Sequence, residues 1–130
     1  MKNVTLPTGY SNQVMVYLIL NDAAGFLEFT RKVFDAEEKY KEMRDENSIR
    51  HAEICIGDSV IMFAQSTKEY SAQNAGLFIY VDDADLRYQK ALDAGATSVL
   101  EVSDQSYGRS GGVRDAFGNT WWITSVLEEN

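Results

Sequence analysis

The sequence predicts an α+β fold of two βαβββ repeats, joined as an eight-stranded, cup-shaped mixed sheet with the helices outside. Three observations carry this. Gly57-Asp58-Ser59 opens the apolar run Val60-Ile61-Met62-Phe63, and Gly118-Asn119-Thr120 opens Trp121-Trp122-Ile123 at an offset of 61 (118 − 57). The same offset lays Tyr17–Ala23 over Phe78–Ala84. Repetition at a fixed spacing decides architecture before any local signal does, and two copies make a duplicated domain rather than a solenoid. The third observation is size: 130 residues, 45% of them hydrophobic, fit one domain with a sizeable core. The halves span about 12–66 and 75–127.

The elements follow in order. Val14–Leu20 is continuously apolar and reads as a strand buried on both faces. Asn21 or Asp22 caps a helix over Ala23–Phe34, with Phe26, Phe29, Thr30 and Val33 on one side at helical spacing. Glu38–Arg44 is a weakly alternating strand, and Asp45–Ser48 a turn. Ile49–Ile56 alternates cleanly, setting Ala52, Ile54 and Ile56 against His51, Glu53 and Cys55. Gly57-Asp58 supplies the positive φ of a tight hairpin into Val60–Ala64. In the second half Gly76–Val81 is a strand, and Asp82 or Asp83 caps a helix that runs through Ala94 and stops at Gly95. Strands over Thr97–Val102 and Gly111–Arg114 flank a loop at Ser103–Ser110. Gly118-Asn119 turns the chain into Thr120–Ser125.

Charge excludes whole classes of partner. A formal net charge of −8 argues against nucleic acid and anionic membrane, both of which need a basic footprint. No apolar stretch reaches the length of a membrane span, and Met1–Ser11 has no apolar signal region. One cysteine, Cys55, forms no intrachain disulfide and suits the reducing cytoplasm.

The duplicated plan, His51–Met62 with its Gly57-Asp58 hairpin, and the stretch from Tyr107 through Arg114 to the turn Asp115-Ala116-Phe117-Gly118-Asn119 resemble the vicinal oxygen chelate superfamily. That group holds glyoxalase I, extradiol dioxygenases, fosfomycin-resistance enzymes and bleomycin-resistance proteins. The resemblance covers about Val14 to Val126, and Asp-x-Phe-Gly-Asn-x-Trp is its most specific part. Ala116 stands where the family usually has proline, which costs the turn some rigidity. The resemblance implies a ligand cup, and homodimers that build each cup from halves of two chains. It also implies, in metal-dependent members, His, Gln or Glu ligands on the first and last strands of each half. Under the repeat those positions fall at Met15, Ile61, Gly76 and Trp122, and none offers a donor; a slip to Val16, Met62, Leu77 and Ile123 adds none. Such a site needs at least three converging N, O or S donors. No metal and no cofactor are expected.

His51 and Glu53 share one strand face and are the candidate catalytic pair, a general acid/base tuned by its neighbour. The plainer alternative is a hydrogen-bonded histidine lining a pocket, with Glu53 paired to Arg114 across the cup. Cys55 reads as a small core residue. Tyr17, Phe78, Tyr80 and Trp122 share the inward parity, and Tyr107 and Arg109 sit in the loop beside the mouth. With His51 and Glu53 these are the ligand-binding candidates, while Trp121, Ile79 and Phe63 read as core. Ser110-Gly111-Gly112 lacks the helix and lysine of a phosphate loop and points to close backbone approach. One histidine and one cysteine leave no nucleophile triad to argue.

The expected function is binding of a small organic molecule in an aromatic-lined cup without a metal, with a cationic aromatic guest suggested by the acidic charge. The alternative is a glyoxalase-like lyase or isomerase using His51 and Glu53.

Overall fold

A computed structural model describes residues 1–127. The chain runs β1 (Val16–Leu20), α1 (Ala23–Phe34), β2 (Glu37–Met43), β3 (Ile49–Ile56), β4 (Ser59–Gln65), then β5 (Gly76–Tyr80), α2 (Ala84–Asp93), β6 (Thr97–Gln105), β7 (Gly108–Arg114), β8 (Thr120–Ser125). Both βαβββ repeats are present. Each makes its own four-stranded mixed sheet, ordered β1-β4-β3-β2 (sheet A) and β5-β8-β7-β6 (sheet B), so the eight strands do not form one ladder. In each sheet the first strand lies parallel to the last, Tyr17 beside Met62 and Phe78 beside Trp122. No helix among the described residues is long and apolar enough to cross a membrane.

Local chemistry sets the helix ends. Asp22 accepts from the Gly25 amide at 2.9 Å, and Asp83 from the Leu86 amide at 3.1 Å, each satisfying a donor that a first helical turn leaves orphaned. Gly95, at φ +103°, stops α2. Asp35 ends α1 in the left-handed region, at φ 56°, and its carboxylate receives Arg87 of α2 at 2.9 Å. Arg87 also holds Asp82 and donates to the Val33 carbonyl, tying the two halves together beside the helices.

The helix-facing sides of the two sheets share a single core. Phe26 of α1 is fully buried and meets Phe63 of sheet A at 5.0 Å between ring centroids. The same ring meets Phe117 at 5.9 Å and Trp121 at 6.4 Å on the sheet B side. Phe34 closes on Trp121 at 4.6 Å. The opposite face of each sheet stays open. Val14–Leu20 is therefore not buried on both faces: Leu18 and Leu20 are core, while Tyr17 is 49% exposed.

The motif Asp115-Ala116-Phe117-Gly118-Asn119-Thr120-Trp121 locks β8 into this core. The buried Asp115 carboxylate accepts from Trp121 Nε1 at 2.8 Å, from the Phe117 and Asn119 amides at 2.9 Å, and from Asn119 Nδ2 at 3.1 Å. Asn119 in turn accepts from the Ala75 amide at 3.0 Å, just before β5. Gly118 sits at φ +95°, a conformation a side chain would strain.

Two further sequence expectations change. The loop expected at Ser103–Ser110 is strand: β6 and β7 extend to pair Ser103 with Ser110 and Gln105 with Gly108. The repeat slips by one on the last strand, because two residues join β3 to β4 (Ile56 pairs with Ser59) and five join β7 to β8 (Arg114 pairs with Thr120). Core-facing Ile61 thus corresponds to Trp121, not Trp122. Gly111 and Gly112 lie in strand, as the sequence indicated. A Cβ on Gly111 would lie 3.1 Å from the Tyr88 ring of α2 and 2.7 Å from Val102, and one on Gly112 would lie 2.6 Å from the Trp122 indole. Each glycine admits a neighbour on its own face of β7.

Removing the Asp115 carboxylate strands several buried donors at about 1–3 kcal/mol each, partly relieved by relaxation. Asp115→Ala should cost about 3–5 kcal/mol of folding stability in urea titration. A loss below about 1 kcal/mol would mean that the turn holds Trp121 without its acceptor.

Candidate functional site

On sheet A the open face is set by the alternation of β3. Ala52 and Ile54 enter the core, so His51, Glu53 and Cys55 take the other side. A register shift in the β2–β3 ladder, where Met43 pairs with Ile49 but Glu42 with His51, inserts Arg50 as an extra residue. Ile49 stays in the core, and Arg50 lines a cavity with Tyr17.

His51 is held at both ring nitrogens. Its Nε2 lies 2.7 Å from Glu53 Oε2 and its Nδ1 3.2 Å from the Tyr17 hydroxyl. An ionised carboxylate only accepts, so the network assigns the proton to Nε2 and leaves Nδ1 to accept from Tyr17. The Tyr17 ring packs against the imidazole, 5.5 Å between centroids, with Tyr40 6.0 Å away on the other strand. Glu53 is buried, and Tyr10 of the amino-terminal segment donates to its Oε1. Lys39 fixes that segment, donating to the Gly9 carbonyl at 2.9 Å with its ammonium 4.7 Å above the Tyr10 ring. Burial pushes the Glu53 carboxyl up. The hydrogen bonds from Tyr10 and His51, with the charge of Lys39, outweigh it and hold the group below its usual range. The hydrogen bond to Glu53 and burial both push the Tyr10 phenol up. The result is a chain Tyr17–His51–Glu53–Tyr10 that can hold or move a proton at the Tyr17 oxygen.

On sheet B the open face is aromatic. Phe78, Tyr80 and Tyr107 are 52%, 62% and 54% exposed, with Phe78 5.2 Å from Tyr80 and 6.1 Å from Tyr107 between centroids. Trp122, half-buried beside Phe78, lies across Gly112. Trp121, one residue earlier, is 1% exposed against α1.

The structure thus sorts the sequence candidates into two groups, Tyr17, His51 and Glu53 on sheet A and Phe78, Tyr80, Tyr107 and Trp122 on sheet B. Two expectations fail. Arg109 lies in β7 on the helix side, clamped to Asp85 at 2.6 and 3.1 Å and to Asp104 at 2.9 Å, so its work is to fasten α2 to the sheet. Arg114 does not face Glu53: it sits at the end of β7 in the other sheet, and His51 and Tyr10 take the carboxylate instead. Of the four metal-corner positions, Ile61 turns into the core and Met62 takes its place beside Tyr17. Among the described residues no three His, Cys, Asp or Glu side chains converge as a metal site. Sequence reasoning missed Tyr10, Arg44, Arg50 and Tyr70. No periodic signal marks the first of these, and the bulge that turns Arg50 outward is written only in the pairing of two strands.

A folded-state carboxyl held low contributes stability that is present above its ordinary range and lost as pH falls through its lowered value. Glu53→Gln should therefore melt below the parent protein at pH 7, and the gap should begin to shrink below about pH 4.3, the ordinary glutamate range, closing only once the pH passes the lowered native value. A gap constant across pH, read by thermal denaturation, would show that the carboxylate charge is not what the hydrogen bonds stabilise.

The whole arrangement has relatives. The family model for the glyoxalase/bleomycin resistance protein/dioxygenase superfamily matches residues 11–123. The uncharacterized protein Mb0911c of Mycobacterium bovis is 30% identical over 125 residues, covering 87% of this chain and 82% of its own. Among solved structures, TioX from Micromonospora sp. ML1 superposes with a TM-score of 0.71 at 22% identity, over 92% of this chain and 99% of that one. The fosfomycin resistance protein FosX from Mesorhizobium loti gives 0.61 at 21% identity, over 88% and 90%. These likenesses concern the fold, and the family match spans both repeats and the Asp115–Trp121 lock. The chain belongs to the glyoxalase/bleomycin resistance protein/dioxygenase superfamily.

Proposed function

We propose that the protein binds a small planar organic molecule without a metal, in a cup whose aromatic half is the open face of sheet B and whose other half is sheet A of a second chain. The exposed cluster of Phe78, Tyr80 and Tyr107 beside Trp122 carries this reading. Three exposed aromatic rings and the half-buried Trp122 gather on one sheet surface, and such a surface suits stacking with a flat guest. The named fosfomycin resistance neighbour supports a role in sequestering or modifying a small molecule. The open faces and the exposed Val14 and Val16 beside the β5 cleft support a homodimer. The free thiol of Cys55 supports a cytoplasmic setting.

A second reading has its own observation. The Tyr17–His51–Glu53 chain is the geometry of a positioned acid/base, and it supports a lyase or isomerase of the glyoxalase type in which Tyr17 or His51 moves a proton at the substrate.

Trp122→Ala should weaken binding of a planar aromatic guest to EDTA-treated protein by about 1–3 kcal/mol, with little loss of stability. Trp121→Ala should instead cost about 3–5 kcal/mol of stability. Titration by intrinsic fluorescence and urea unfolding read the two effects, and the reverse pattern would overturn the assignment of the sheet B face. Light scattering at micromolar concentration should give the mass of two chains. A monomer that binds its guest fully would mean that sheet B suffices without a partner.

A further inference from the structure

Sheet A carries a basic cavity to which the reading above assigns no ligand group. About 300 Å³ in volume, it lies on the open face where β1 and β4 run side by side, Ile19 against Ala64. Tyr17 and Tyr70 form aromatic walls, and Arg44 and Arg50 reach in from the β2–β3 hairpin. No aspartate or glutamate lines it. That is unexpected in a chain with 20 acidic and 12 basic residues. Neither arginine has an ion-pair partner among the described residues: Arg44 donates only to the Ser48 hydroxyl, at 2.9 Å. Arg87 and Arg109, by contrast, are each held by two aspartates.

The cavity is also built, not incidental. The connection between the halves is pinned to β1 by reciprocal bonds between Ile19 and Gln73, 2.8 and 3.2 Å, and folded by a Thr67–Tyr70 turn. This brings Tyr70 over the apolar floor. Outward, the space continues past Lys68, with Glu69 as the one acidic residue of the outer wall. Guanidinium groups are planar donors that match a carboxylate in two-point fashion, and an unpaired pair of them favours an anion strongly over its neutral isostere. The aliphatic and aromatic walls require an apolar body on that anion.

We propose that this cavity binds a small aromatic carboxylate, its anionic head on Arg44 and Arg50 and its ring between Tyr17 and Tyr70. The inference goes beyond the aromatic face of sheet B and stands whether or not that face binds anything. Its location has a chemical consequence. Tyr17, which lines the cavity, is also the residue whose hydroxyl meets His51 Nδ1, so a bound carboxylate lies beside a member of the proton-holding chain.

The test uses the full chain and three probes of one shape, benzoate, benzamide and benzamidine, followed by amide chemical shifts. Benzoate should shift Thr67 and Tyr70 saturably, while benzamide and benzamidine bind at least about tenfold more weakly. Paired Arg44→Gln and Arg50→Gln substitutions should lower benzoate affinity at least about tenfold, whereas Arg31→Gln on the exposed side of α1 should not change it. Since both arginines are exposed, the paired variant should keep the parent melting temperature; if it does not, the salt dependence of benzoate binding to the parent chain replaces it as the readout. Equal affinity for benzoate and benzamide, no saturable shift with benzoate, or salt-independent binding overturns the proposal. Phenylphosphonate binding more tightly than benzoate would overturn the assignment of the head group. Loss of benzoate binding while a planar guest still quenches Trp122 fluorescence would overturn this site alone, which keeps its failure separate from that of the sheet B face.

Discussion

The Asp115 carboxylate is the point on which both halves depend. Four N–H groups converge on it, one from the indole of Trp121 and three from the turn that leads into β8. Burying a carboxylate is costly unless its lone pairs are satisfied, and here they are satisfied by groups that the turn must place anyway. Once the turn is set, Trp121 can point only toward α1, where it meets Phe26 and Phe34. One acid thereby fixes the hairpin, aims the largest core side chain and joins sheet B to a helix of the other repeat. The first half has no counterpart. Ile56 and Ile61 occupy the related positions and pack against the core without a polar anchor, so the asymmetry of the repeat is concentrated where the halves meet.

A shared core on one side of each sheet has a necessary result on the other. Two amphipathic sheets that bury their inner faces against the same pair of helices leave two outer faces uncovered. The residues there are not the charged ones that an open antiparallel face ordinarily carries: sheet B shows Phe78, Tyr80 and Tyr107, and sheet A shows Tyr17 and Tyr40. Aromatic rings on a surface with no internal partner make sense when something else packs on them. Polar groups sharpen the contrast between the two faces. Sheet A alone offers a proton-holding chain and two unpaired arginines, whereas sheet B offers area. A cup made from one of each would have a flat stacking wall facing a polar one.

Much of this was legible in the residues. The repeat, the limits of α1, β3 and β8, the separation of Trp121 from Trp122, and the shared face of His51 and Glu53 all follow from periodicity, caps and turn chemistry, which are local. What escaped was written between strands. The offset of 61 holds for the first strands and the hairpin glycines, but a two-residue turn in one half and a five-residue turn in the other shift the last strand by one. No single-strand pattern reveals that Ile61 and Trp121 are partners. Arg109 was misplaced for the same reason: its strand is made by pairing with Asp104 and by two aspartates at its tip, not by its own propensity. Tyr10, far upstream in a segment without periodicity, reaches Glu53 only in three dimensions.

The charge of the guest is the clearest case of a global quantity giving way to a local one. Net charge sets a field that decays over about 8 Å at physiological salt, so it governs solubility and long-range encounter. Inside a cavity the groups within contact distance decide. A chain with a formal charge of −8 suggests cationic guests, and the sheet A cavity still presents two guanidinium groups and no carboxylate. Pairing explains how both hold. The strongly held arginines, Arg87 and Arg109, spend their charge on aspartates: Asp35, Asp82 and Asp85 sit at helix ends, and Asp104 lies in β6. Arg44 and Arg50 stand on the open face of sheet A, at a bulge that turns the strand outward, where no acid among the described residues forms an ion pair with them. An acidic protein can in this way keep a basic binding site by spending its acids on structure.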